Sequence, residues 1–260
     1  MPAPRLARVE ITPSQALLLL GAGFAGGVVS VLVSLASLVT YPALLAVGLP
    51  PVSANVTNTV ALVFNGIGAS IGARPELEGQ GPVLRRLALV AAAGGVTGAA
   101  LLLALPGRWF ELVAPLLIAG ASALVVVQPR LAARPRFMPR GITAATAAAY
   151  FATAVYIGYF GAAGGILAIV ALASIIDRPL VDVNAAKAVL SGVANAVAAL
   201  GFVLFGPVAW AFVLPLAAGF LVGGLAGPWL ARRIPAPVLR VVIGGCGLAV
   251  AAALAWGTYA

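Results

Sequence analysis

Two largely apolar stretches, residues 15–48 and 143–176, each run for 34 residues, and that length restricts what the chain can build. As a straight helix each would measure about 51 Å, against a bilayer hydrocarbon core about 30 Å thick. Two complete crossings need about 40 residues. Each stretch is therefore expected to be a bent hairpin or a helix broken within the membrane. Broken intramembrane helices are where transporters build their binding sites. A membrane setting is required by composition, because only 8% of the residues are charged, whereas a soluble domain carries about 25%. Alternating short strands of the kind that form membrane barrels are missing, so the expected class is all-α and polytopic.

Six further apolar runs, at about 53–73, 87–105, 109–127, 183–205, 208–230 and 238–257, are each long enough to cross once. The order is one long stretch and three single runs, then the same again. This predicts an internal duplication, with one half at 1–141 and the other at 142–260 forming a single membrane domain. Landmarks recur. Small-residue clusters fall at Gly23-Phe24-Ala25-Gly26-Gly27 and Gly161-Ala162-Ala163-Gly164-Gly165, and the next helix opens on Asn55 to Thr59 in one half and Asn184 to Ala188 in the other.

The net charge of +9 does not indicate nucleic acid, because the arginines sit in short connections between apolar runs. If each long stretch is a hairpin without net crossing and the N-terminus is outside, 12 of the 15 Lys and Arg residues fall inside. Only Arg5, Arg8 and Arg108 remain outside, as the positive-inside rule asks. The two halves then lie inverted in the membrane. A single crossing by the first stretch alone places 14 inside. The symmetric arrangement is preferred because duplicated halves share a fold. The apolar start after Arg5 and Arg8 is expected to be retained rather than cleaved as a signal peptide.

No enzyme constellation is present in the sequence. There is no histidine, and the six acids, Glu10, Glu76, Glu78, Glu111, Asp177 and Asp182, lie in or beside connections. No P-loop occurs, and no carboxylate relay crosses an apolar run. The only cysteine, Cys246, reads as a small packing residue. No cofactor or metal is expected. The polar residues inside the apolar runs are amides and hydroxyls: Ser34 and Ser37; Asn55, Thr57, Asn58, Thr59 and Asn65; Asn184, Ser191 and Asn195. One cation, Lys187, joins them. Lys187, Ser191 and Asn195 are spaced i, i+4, i+8 and form one helical stripe. Neutral donors with one cation suit a small oxyanion better than a metal, which takes carboxylates or imidazoles. Gly164 and Gly165 permit a break whose new helix start offers free N–H groups to an anion. Each of these residues also has a structural reading: interhelical bonding, helix capping at Asn55 and Asn184, close packing at the glycines. For Lys187 the structural alternatives are snorkelling to the surface or pairing with Asp182.

The run Gly48-Leu49-Pro50-Pro51-Val52-Ser53-Ala54-Asn55-Val56-Thr57-Asn58-Thr59 after Tyr41-Pro42, with Gly161–Gly165 and Asn184-Ala185-Ala186-Lys187 in the second half, resembles the TauE/SafE family of sulfite and organosulfonate exporters. The resemblance covers about residues 15–257. Where that family has a triple glycine in its first half, this chain has Leu35-Ala36-Ser37. The resemblance implies export of sulfite, sulfoacetate or a related small sulfur anion across a bacterial inner membrane. The residues alone reach only a small anionic solute. The implied partners are that solute and the lipid bilayer, with no nucleic acid, and a homodimer is left open. An ion-driven uptake carrier and a non-transporting membrane subunit are the alternatives.

Overall fold

The computed structural model describes residues 11–132, 141–161 and 164–231, with single positions 245, 248, 252, 255 and 256. The expected run at 238–257, Cys246, and the basic residues Arg5, Arg8, Arg134, Arg136, Arg140, Arg232, Arg233 and Arg240 lie outside these segments or between the single positions. The described chain forms helices α1 (Pro13–Val33), α2 (Ala36–Ala46), α3 (Pro51–Gly72), α4 (Gly81–Ala104), α5 (Gly107–Ala132), α6 (Ala144–Tyr159), α7 (Gly164–Ala173), α8 (Leu180–Phe205) and α9 (Trp210–Ala231). A single 3-10 turn, Pro75–Leu77, links α3 to α4. No strand occurs among the described residues.

Both long stretches break into a longer and a shorter helix, and both do so by the same local chemistry. Each opens on a threonine capping box: Thr12 with Gln15 before α1, and Thr143 with Thr146 before α6. Each ends at a residue in the left-handed region, Ser34 (φ 62°) after α1 and Gly161 (φ 75°) just past α6. The first stretch then doubles back. A Cβ placed on Gly26 would lie 2.7 Å from Thr40 Cγ2 and 3.4 Å from the Ala36 carbonyl, so residues on either side of the break are side by side. In the second, a Cβ on Gly164 would lie 2.6 Å from Ile157 Cγ1, which sets the start of α7 against the last turns of α6. The first small-residue cluster has a different role from the one expected. α1 runs unbroken through Gly23–Gly27, and these glycines let α9 approach: a Cβ on Gly27 would be 2.8 Å from Gly224 N. The break falls later, at Ser34 and Leu35.

Close approaches fix the relative directions of six of the long helices. Gly23 and Gly27 of α1 meet Gly219 and Gly223 of α9, and Gly68 and Gly72 of α3 meet Leu221 and Leu225 of the same helix, so α1, α3 and α9 run parallel. Gly94 and Gly98 of α4 meet Ala154 and Gly158 of α6, while Gly95 and Ala99 meet Ala194 and Gly201 of α8, so α4, α6 and α8 also run parallel. The two triplets oppose each other. Val56 of α3 lies at Gly206, Gly66 meets Gly192 of α8, and Gln80 bonds the Asp182 carbonyl at 3.1 Å. Replacing α1, α2, α3 and α4 by α6, α7, α8 and α9 reproduces the pairing pattern: α1 packs on α9 as α6 packs on α4. Both ends of the first long stretch lie at the same face, because α1 begins where α3 begins.

Among the described residues four helices are long and apolar enough to cross a bilayer: residues Pro13–Leu32, Gly81–Ala104, Leu180–Phe205 and Trp210–Leu230. The first arm of the first long stretch is thus long and apolar enough to cross by itself, which the hairpin expectation did not anticipate. α3, expected as a single crossing, has 22 residues but carries buried Ser53, Asn55, Thr57, Asn58, Thr59 and Asn65. Such a helix is stable in a membrane only inside the protein, and α3 is packed between α8 and α9.

Close helix approach through glycine is directly testable. Gly68→Ala puts a methyl 2.5 Å from the Leu221 carbonyl oxygen and is expected to cost about 1–3 kcal/mol. Gly21→Ala, with nothing within 4 Å, is expected to be neutral or to stabilise by up to about 1 kcal/mol. Thermal unfolding of the two variants in detergent checks the contrast.

Candidate functional site

The two breaks meet inside the protein. A Cβ on Gly165, at the start of α7, would lie 2.6 Å from Ser34 Cβ and 3.3 Å from Lys187 Cδ. Lys187, on α8, is only 4% exposed. Its ammonium donates to the Ser30 carbonyl at 3.1 Å and to Ser34 Oγ at 3.0 Å. It therefore neither snorkels nor pairs with Asp182, whose carboxylate faces Arg178 at 3.7 Å. The Ser30 carbonyl belongs to the last turn of α1, where the helix dipole favours a cation. An ammonium has three donors, and two are held by these bonds.

Ser34 explains the departure from glycine at this break. A left-handed residue other than glycine costs about 1–2 kcal/mol. The corresponding position of the second half, Gly161, avoids that cost. What serine adds is a hydroxyl, and that hydroxyl accepts a hydrogen bond from the Lys187 ammonium.

Asn55 and Asn184 occupy matching places in the two halves and do matching work. Asn55 Nδ2 donates to the Tyr159 carbonyl at 2.9 Å, in the last turn of α6. Asn184 Nδ2 donates to the Val31 carbonyl at 3.1 Å, in the last turn of α1. Neither caps its own helix, since α3 and α8 start without a side-chain cap. Each instead satisfies a carbonyl left open by the break in the other half. Three residues on from each lie Asn58 and Lys187. Asn58 is fully buried, accepting from Thr40 Oγ1 at 2.6 Å and donating to Ser37 Oγ at 3.1 Å.

An open cavity lies at the meeting point. Of the residues singled out from sequence, Ser34, Ser37, Asn184, Lys187, Ser191, Asn195 and Gly165 line it. The Lys187, Ser191 and Asn195 stripe faces it along its whole length. Asn55, Thr57, Asn58, Thr59 and Gly164 are not among its lining residues. Thr57 Oγ1 accepts from Ala209 N at 3.1 Å, and Thr59 Oγ1 donates to the Asn55 carbonyl at 3.0 Å. These residues hold the helices around the cavity. Ser30 also lines it and was not anticipated; its i, i+4 spacing to Ser34 was the available clue. Asn65 reaches it too, donating to Ser30 Oγ at 2.8 Å. The cavity runs toward Ala73 and Pro228, at the C-terminal ends of α3 and α9. On the opposite side of the breaks, Phe160 packs edge-on against Tyr41 and Phe110, both centroids at 5.6 Å.

The chemistry of the lining is uniform. Among the described residues it consists of hydroxyls, carboxamides, apolar and small residues and one ammonium, with no carboxylate. No side chain caps the start of α2, where Ala36 and Ser37 face the cavity. The half-helix starts of α2 and α7 thus add partial positive charge. Among the described residues no three His, Cys, Asp or Glu side chains come together. This arrangement can hold an oxyanion through hydrogen bonds and one full charge.

A family model described as Sulfite exporter TauE/SafE matches residues 19–254. The chain belongs to this family. No curated protein and no solved structure matches it. Together with four apolar helices of spanning length, membership identifies a multi-pass membrane protein of a transporter family.

Two substitutions separate support from function here. Ser34→Gly relieves the left-handed strain but removes a hydrogen bond to the buried Lys187 ammonium, so it is expected to change stability by only about 1 kcal/mol while weakening retention of an anion. Asn184→Ala leaves the Val31 carbonyl without its donor and is expected to cost about 1–3 kcal/mol. Unfolding curves in detergent, with and without sulfite, check both.

Proposed function

We propose that the protein exports a small sulfur oxyanion or organosulfonate from the cytoplasm across the bacterial inner membrane. One observation carries this reading: Lys187 is buried in a cavity bounded by both halves and has no carboxylate partner among the described residues. A charge held at mid-membrane costs about 2.5–3.5 kcal/mol on insertion scales, and an entering anion offsets that cost. Family membership supports the sulfur chemistry of the cargo.

Direction is supported by charge and closure. The cavity extends toward the end of α3 that leads into Arg74, Arg85 and Arg86 and that lies beside Arg178. Basic connections face the cytoplasm, so the cavity is read as open inward. The Tyr41, Phe110 and Phe160 cluster then closes the periplasmic side. The opposed directions of the two helix triplets support an inverted pair of halves, 1–141 and 142–260, that exchange access around the site. With the cell interior negative, each negative charge moved outward gains about 2.3 kcal/mol per 100 mV. Export therefore needs no proton relay.

The test is flux in proteoliposomes loaded with sulfite under an imposed potassium diffusion potential. Outward flux is expected to rise with an inside-negative potential. Flux that follows a proton or sodium gradient instead points to a coupled carrier and removes the uniport reading. Lys187→Met is expected to retain its melting temperature, since an apolar residue replaces an isolated buried charge, yet to lose about tenfold or more in flux. Lys187→Arg keeps the charge but changes its geometry and is expected to fall between the two.

A further inference from the structure

Among the described residues the cavity contains one full positive charge, and the matching position of the first half adds none. Lys187 stands three residues after Asn184, and the matching residue three after Asn55 is Asn58. The first half thus places a neutral carboxamide where the second half places an ammonium. Asn58 is already committed, held by Thr40 at 2.6 Å and by Ser37 at 3.1 Å. Among the described residues, no other Lys or Arg lines the cavity. Arg178, the nearest described basic residue along the chain, pairs with Asp182 and with the Glu78 carbonyl outside it.

The dipoles do not make up a second charge. The α2 and α7 starts contribute partial positive charge, but the end of α1 contributes the opposite sign and already occupies Lys187 through the Ser30 carbonyl. Ser191 Oγ and Asn195 Oδ1 are buried without a hydrogen-bond partner. They are neutral groups on the same stripe as Lys187 and compensate no net charge. The remaining walls are neutral: the hydroxyls and carboxamides of Ser30, Ser34, Ser37, Asn65 and Asn184, and small or apolar residues. A second negative charge carried into this space would be desolvated without a counter-charge, which is strongly unfavourable.

We infer that the cavity selects singly charged cargo: hydrogensulfite rather than sulfite dianion, and sulfonates bearing one negative charge rather than those with a second acidic group. This rests on the reading of the protein as a sulfur-anion exporter and narrows it, since it excludes sulfoacetate, whose carboxylate is a second charge.

The experiment compares compounds that share a sulfonate head and differ in charge. Wild-type proteoliposomes transporting labelled methanesulfonate are challenged with isethionate, sulfoacetate and 1,2-ethanedisulfonate at one pH. Isethionate is expected to compete at least about tenfold more strongly than either dianion. Equal or stronger competition by the dianions overturns the charge selection while leaving sulfur-anion transport standing. If methanesulfonate and sulfite are both neither bound nor moved, the transport reading fails and this inference with it. Asn195→Lys, which adds a cation to the lining stripe, is expected to narrow the gap in favour of sulfoacetate. In a variant that folds by size exclusion, an unchanged gap overturns the assignment of selectivity to charge count.

Discussion

A helix broken inside a bilayer leaves backbone carbonyls with no donor, and lipid supplies none. The fold depends on how this chain answers that constraint. Asn55 closes the end of α6, Asn184 closes the end of α1, and Lys187 adds its ammonium to α1. In every case the donor comes from the opposite half. The same contacts that make the breaks tolerable bring them together, so the site forms where the backbone most needs outside partners.

This arrangement explains why the polar residues of α3 and α8 are distributed as they are. One face of α8 presents Lys187, Ser191 and Asn195 to the cavity. The polar residues of α3 serve mainly as braces: Asn58 ties Thr40 to Ser37, Asn65 holds Ser30, and Thr57 receives the Ala209 N–H. The two halves of the chain contribute differently to the cavity. One half supplies the charged stripe, the other the neutral frame that positions the break facing it.

Much of the fold was legible because length and hydropathy are properties of the chain itself. A stretch of 34 residues cannot be one span, and both such stretches do break. The stripe at 187, 191 and 195 was legible for a similar reason, since helical period decides which residues share a face. The point of the first break was not legible. Glycines at 23–27 suggested it, but glycine also serves close packing, and only the neighbour α9 decides between the two uses. The partners of Asn55 and Asn184 were hidden for the same reason, because they lie 104 and 153 residues away in sequence. The departure from glycine at Leu35-Ala36-Ser37 was visible, while the contact of the neighbouring Ser34 with a lysine in the other half was not.

The interleaving of the helices has a consequence for biosynthesis. α9 completes the triplet with α1 and α3, and α4 completes the one with α6 and α8. As the chain leaves the ribosome, α1 and α3 wait for a neighbour that is synthesised more than a hundred residues later. The carbonyl at Val31 gains its amide donor, Asn184, only when α8 is made, and α3 is left without the α8 and α9 neighbours that cover it. Among the described helices, the first half is therefore an unfinished surface until α8 and α9 follow.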